Sequence, residues 1–236
     1  MVSETVLLVG TAATIGLIHT LLGPDHYIPF IVLSKARKWG TAKTTLVTLL
    51  CGLGHILSSV ILGLAGIALG AAVFSLEAIE SFRGEIAAWI LIIFGFTYFI
   101  WGIHRALRSR QHEHTHVHQN EEVHSHSHSH ISEHSHVHIS ESRSLTPWAL
   151  FIIFILGPCE PLIPLVMYPA AKQSMITVTL VSIVFGVTTI VTMLAIVLAS
   201  SYGFSKISIP RLEKYSHALA GLAILVCGGA VKFLGL

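Results

Sequence analysis

Eight side chains able to ligate a metal, carry a proton or exchange a disulfide stand inside otherwise apolar stretches of this 236-residue chain. They are His19, Asp25, His26, Cys51, His55, Cys159, Glu160 and Cys227. Imidazole combined with carboxylate suits nickel, cobalt, zinc, copper or ferrous iron, whereas magnesium and calcium want all-oxygen shells. Asp25 can ligate an ion directly, or fix the tautomer of a histidine ligand from outside. A charged side chain at the centre of a bilayer costs roughly 2.5–3.5 kcal/mol on insertion scales. Asp25 and Glu160 must therefore be paired, protonated or bound to a cation. The expected metal site is His19, Asp25, His26 and His55, with Cys159 and Glu160 facing it from the second half of the chain. Cys51 and Cys227 read as small core hydrophobes.

Each residue also has a plainer reading. An intramembrane histidine can simply bond a neighbouring helix. Gly157-Pro158, with Pro161 and Pro164, can be a structural kink, and Glu160 a proton-coupling acid instead of a ligand.

The elements that must position these groups are unusual. Leu22-Gly23-Pro24-Asp25-His26 and Leu156-Gly157-Pro158-Cys159-Glu160 interrupt two apolar segments in the same way. Gly-Pro breaks a helix, and a broken helix within a bilayer survives only where protein or a water-filled cavity satisfies the freed backbone. Paired breaks in corresponding halves point to a site at the membrane midplane.

The composition agrees with a membrane setting. The chain is 53% hydrophobic and 11% charged, with a mean hydropathy of +0.75. A soluble domain of this length carries about twice that charge. Six spans are expected: Val6–Leu33 (two half-helices meeting at Gly23-Pro24), Thr44–Phe74, Ile86–Leu107, Trp148–Ala171, Ile176–Ser200 and Ala218–Leu234. No basic leader precedes the first apolar run, so the first span is expected to be retained. Lys35, Arg37, Lys38 and Lys43 fill the first loop, and Arg105, Arg108 and Arg110 open the third. Lys206, Arg211 and Lys214 flank the fifth, whereas the second carries Glu77, Glu80 and Glu85 against Arg83. The positive-inside rule then puts the odd loops in the cytoplasm and both termini outside.

Aligning the two breaks nearly aligns Gly54-His55 with Gly186-Val187, and three spans per half requires the second half to be inverted. The expected fold is an all-α membrane protein of two inverted three-helix repeats, residues 1–110 and 145–236. Residues 111–144 hold eleven of the sixteen histidines, mostly alternating with Ser, Val, Thr or Glu. With too little apolar surface to fold alone, this segment is expected to be a disordered cytoplasmic loop that buffers metal at neutral pH. The three cysteines form no Cys-x-x-Cys and no disulfide framework.

The stretch from His19 through Asp25-His26, followed by Gly54-His55, resembles the His-x5-Asp-His and Gly-His signatures of the nickel/cobalt transporter superfamily, and within it the UreH-like urease-accessory branch. That resemblance implies a secondary transporter of a divalent transition metal, nickel or cobalt first and zinc next, in the cytoplasmic membrane. Its metal path would use His19, Asp25, His26 and His55. It implies no organic cofactor and no nucleic acid. The partners would be lipid, the metal ion and cytoplasmic metallochaperones or metalloenzyme maturation proteins. Gly-Pro-Cys159-Glu-Pro also resembles the Pro-Cys breaks of membrane thiol–disulfide electron carriers. That gives the alternative, a redox carrier using Cys159, with Cys51 the other thiol in view. A third reading is a non-transporting metal chaperone or sensor. No catalytic constellation is present, and an enzyme is not expected.

Overall fold

A computed structural model describes residues 2–70, 73–108, 112–117, 123–128, 145–172, 174–205 and 213–235. Helix α1 (Val2–Leu22) runs to the first break, where Pro24–His26 form a single 3-10 turn before α2 (Ile28–Ala36). Helices α3 (Thr41–Ala68) and α4 (Val73–Arg108) follow. After the second break α5 (Leu145–Leu156) gives way to α6 (Leu162–Ala171), and α7 (Met175–Ser205) and α8 (Ser216–Leu234) complete the body.

Among the described residues, five helices are long and apolar enough to cross a membrane: α1, α3, α4, α7 and α8. This is a multi-pass, all-helical membrane body. Its outer faces expose large apolar side chains such as Leu7, Leu22, Leu57, Ile61, Ile93 and Val191. Water would not tolerate so broad an apolar surface, and lipid requires one.

The expected first span needs correction. With 21 residues α1 is about 31 Å long and crosses alone, so the segment is a full-length helix with a short buried appendage, not two half-helices. By contrast α5 and α6, of 12 and 10 residues, are about 18 and 15 Å long. Neither crosses by itself. The expected second loop is corrected as well: α4 begins at Val73 instead of Ile86, so Glu77, Glu80, Arg83 and Glu85 lie on helix. Within the expected histidine-rich loop, β1 (His112–Val117) pairs antiparallel with β2 (Val123–His128), His112 opposite His128 and Val117 opposite Val123. The alternation of histidine with other residues has the period of a strand. The rest of that segment lies outside the described residues.

Two apolar clusters form the core, and each is organised around the short helix that follows a break. Phe30 and Leu33 of α2 pack with Cys51, Leu91, Leu150, Phe154 and Ile224. Leu162 and Val166 of α6 pack with Ala12, Ile56, Cys159, Val181 and Phe185. The closest helix pair is α4 with α8, whose backbones meet across glycines. A Cβ on Gly221 would lie 2.5 Å from Phe99 Cα, and one on Gly95 would lie 2.8 Å from Leu225 Cα. Lipid tails are as apolar as leucine, so this close contact, and not water exclusion, holds the pair.

A Gly221→Val variant should therefore lose roughly 1–3 kcal/mol or more through overpacking, read as a lowered melting temperature in detergent. Gly229→Ala, where a Cβ meets nothing within 4 Å, should leave the melt unchanged.

Candidate functional site

Both breaks and the middle of α3 converge on one pocket. Helix α1 ends because Pro24 has no N–H to continue it, and Gly23 turns extended at φ −82°, ψ 96°. The Gly23 amide still closes the helix on His19 O at 2.9 Å, and His26 N–H donates to Gly23 O at 3.1 Å. This tight return carries His26 back over His19. From α3, His55 arrives between them and α5. The imidazole centroids of His19 and His26 lie 4.7 Å apart, those of His26 and His55 5.1 Å, and those of His19 and His55 6.4 Å. One ring nitrogen from each lies within 4.8 Å of the other two.

The hydrogen bonds define which nitrogen is available. His26 Nδ1 lies 3.0 Å from Asp25 Oδ1 and 3.2 Å from Gly23 O. Both are acceptors, so Nδ1 carries the proton. His55 Nδ1 faces Phe154 O at 3.4 Å and donates to it in the same sense. In the neutral rings this leaves the Nε2 lone pairs free. The Nε2 atoms of His19, His26 and His55 are all buried without a hydrogen-bond partner. Three orphaned imidazole nitrogens in one place incur a desolvation penalty unless something binds them. A carboxylate behind one ligand histidine and a carbonyl behind another is the outer-shell support that metal-binding imidazoles use.

A cavity of about 30 Å³ adjoins the cluster, lined by Asp25, His26, His55, Phe154, Gly157 and Pro158 among others. That is room for a water-sized guest. Gly157 packs closely there: a Cβ would sit 3.3 Å from His55 Nδ1. A Cβ on Gly23 would sit 2.5 Å from His26 Nδ1. The first glycine of each break thus lets backbone approach imidazole.

The structure divides the expected site residues. His19, Asp25, His26 and His55 come together. Glu160 does not join them: it is exposed on the turn between α5 and α6, its carbonyl accepting from Ile163 N–H. Cys159 is fully buried, but against Ala12, Leu162 and Phe185 in the second cluster and not among the histidines. Cys159 O and Glu160 O each accept from the N–H three residues on, so Glu160 opens a helical turn leading into α6, on its exposed side. Thr189, opposite Gly16, is buried with an unpartnered hydroxyl.

The buried carboxylate at the second break is instead Glu80, which the sequence placed in a loop. Its Oε1 accepts from Arg83 Nη1 at 2.6 Å and its Oε2 from the Cys159 N–H at 3.1 Å. Arg83 Nη2 donates to Ser58 Oγ at 2.8 Å and to Ile155 O at 2.6 Å. Ser58 Oγ in turn donates to His55 O at 2.8 Å. The available signal was a lone arginine three residues after a glutamate, at the edge of an apolar run. No pattern of residues points to its partners on α5.

Comparison with known proteins gives a family, though no curated protein and no solved structure matches the chain. The model of the cytochrome c biogenesis protein transmembrane region matches residues 28–230. The match takes in α2 through most of α8, including Cys51, His55 and Cys159, and begins just after His26. It overturns the expected membership of the nickel/cobalt transporter superfamily and its UreH-like branch, and with it metal transport as the leading function. That resemblance rested on a few short motifs, two of whose histidines lie before the matched region, whereas the family match spans most of the chain. By that match, this chain belongs to the cytochrome c biogenesis protein transmembrane region family.

Proposed function

We propose that the protein is a membrane-embedded thiol–disulfide electron carrier of cytochrome c biogenesis, with Cys159 as its reactive thiol. The family match across residues 28–230 carries this reading. The position of Cys159 supports it, at a helix break where the turn of residues 157–161 can swing without unravelling a long helix. In the exchange, the Cys159 thiolate attacks one sulfur of a partner disulfide. A mixed disulfide forms and the partner's other sulfur leaves as a thiolate. A second thiol of the carrier then attacks the Cys159 sulfur, the partner's remaining sulfur leaves as a thiolate, and two electrons have passed to the partner as the carrier's own disulfide forms. Within this chain Cys51 is the candidate second thiol. It packs in the first core cluster and Cys159 in the second, so that pairing needs the break to open.

A Cys159→Ser variant should lower cytochrome c maturation, or disulfide transfer to a reporter across proteoliposomes, to the level of empty membranes. Cys227→Ser should leave it near wild type. Full transfer by Cys159→Ser would overturn the assignment.

The three orphaned Nε2 atoms favour a second element in the same protein. His19, His26 and His55 hold a transition-metal ion, with Asp25 behind His26. Three imidazoles and one open position suit zinc, cobalt, nickel or copper. The ion is a resident or one handed to a partner metalloprotein. Co²⁺ titration of the purified protein should give one tight site with a d–d absorption band, separate from the weaker multisite binding of the histidine-rich segment. Asp25→Asn should weaken it about 10–100-fold, as expected for an outer-shell partner, and His55→Ala more than that. Equal affinity in all three proteins would remove the site.

The arrangement in the bilayer is read as two inverted three-span repeats, 1–110 and 145–236, with both termini outside and the histidine-rich segment in the cytoplasm. Helix packing supports the repeat. Exchanging α1, α2, α3 and α4 for α5, α6, α7 and α8 turns the α1–α7 contact into α5–α3, and α2–α8 into α6–α4; all four contacts are present. The placement of Lys35, Lys38, Arg105 and Arg108 supports the orientation.

A further inference from the structure

We infer that Glu80 and Arg83 are positioning residues for Cys159, a closed latch on the turn that carries the thiol. This deepens the redox reading and rests on it for its meaning. The geometry behind it concerns the second break alone. Glu80 is fully buried, and Arg83 is largely so. Such a pair is costly to keep in an apolar body unless its remaining hydrogen-bonding capacity is used. Here that capacity is used on the broken helix. One carboxylate oxygen takes the guanidinium and the other takes the backbone N–H of Cys159. The guanidinium takes Ile155 O, a carbonyl the interrupted helix α5 leaves without a helical partner, and reaches Ser58 on α3. Two backbone groups flanking Gly157-Pro158 are thus held by one ion pair on α4.

The neighbouring turn of α4 seals the same place. A Cβ on Gly84 would meet Pro158 Cγ at 2.6 Å, so the helix presses directly on the proline next to Cys159. The thiol itself is fully buried. A disulfide partner cannot reach it while Glu80 holds its amide and Arg83 holds the end of α5. Opening the turn means releasing both bonds together, after which the Glu80 carboxylate remains paired with Arg83. The latch can therefore let go without leaving a lone charge in the membrane.

The test is alkylation of the full-length protein in detergent micelles with N-ethylmaleimide, read separately at Cys51, Cys159 and Cys227 by mass spectrometry. All three thiols are buried, so Cys51 and Cys227 report general loosening. In wild type all three should react slowly. Glu80→Gln keeps the side-chain shape and removes the charge that pairs with Arg83 and takes the Cys159 amide. It should speed Cys159 about ten-fold or more while the other two hold their rates, the pattern of a local opening. Arg83→Lys keeps the charge but cannot reach Glu80, Ser58 and Ile155 O at once. It should give a smaller rise, again at Cys159 alone, and it decides the matter if the Glu80 variant does not fold. Unchanged labelling of Cys159, or an equal rise at all three cysteines, would overturn the latch. The labelling needs no electron transfer, so either result is independent of whether Cys159→Ser loses activity.

Discussion

Inside an apolar body every broken backbone hydrogen bond must be answered by protein, and the two breaks in this chain answer it in different ways. The first is satisfied by its own residues. Gly23 N–H reaches back to His19 O, His26 N–H to Gly23 O, and Tyr27 Oη donates to Leu21 O. The second closes Gly157 N–H on Ile153 O and Phe154 O by itself, and draws its remaining partners from elsewhere. Phe154 O takes His55 Nδ1–H, Ile155 O takes Arg83, and the Cys159 N–H gives to Glu80. Deprived of these partners, each buried group would cost about 1–3 kcal/mol. Loss of one member of the Glu80–Arg83 pair would cost about 3–5 kcal/mol, because the other charge would remain buried.

That asymmetry builds the pocket. Phe154 O, which also accepts from the Gly157 N–H, takes the His55 Nδ1–H, and that bond fixes the His55 proton on Nδ1. Its Nε2 is thereby turned toward the histidines of the first break. His26 is fixed likewise by Asp25 and Gly23 O. The groups that satisfy the backbone are thus the ones that orient the His26 and His55 imidazoles. The requirement for a continuous hydrogen-bonded backbone in lipid and the requirement for preorganised imidazoles are met by the same bonds.

Much of this was legible in the residues. The Gly-Pro pairs located both breaks, and of the six spans expected from the apolar runs, five hold a helix long and apolar enough to cross a membrane. His19, Asp25, His26 and His55 stood out together with Cys51, Cys159, Glu160 and Cys227, because polar groups are rare in such stretches. What could not be read follows from geometry that periodicity does not encode. Glu160 and Cys159 are adjacent, yet one is exposed and the other fully buried, since neighbouring residues on a turn point different ways. Glu80, Arg83 and Glu85 looked like a charged loop because composition counts charges without their partners. The structure splits them: Glu80 turns inward to Arg83 and Cys159, and Glu85 turns outward to Lys232 at 2.6 Å. The family, too, was hidden behind short histidine motifs that attracted a nearer-looking resemblance, while the longer match began beyond two of those histidines.

The boundary of that match gives the two chemistries different standing. Cys159, Cys51 and the Glu80–Arg83 pair all lie on elements inside residues 28–230, as does His55. His19, Asp25 and His26 lie before them, on α1 and its 3-10 turn. The thiol and its support therefore sit on the framework shared with the family, and His55 is the point where the preceding segment meets it. One helix turn of α3 joins the two parts, for Ser58 accepts from Arg83 and donates to the His55 carbonyl. Ser58 holds the backbone carbonyl of His55 and is held in turn by the guanidinium over the second break. The histidine cluster thus meets the matched region at His55, and one turn of α3 links it to the bonds made around Cys159.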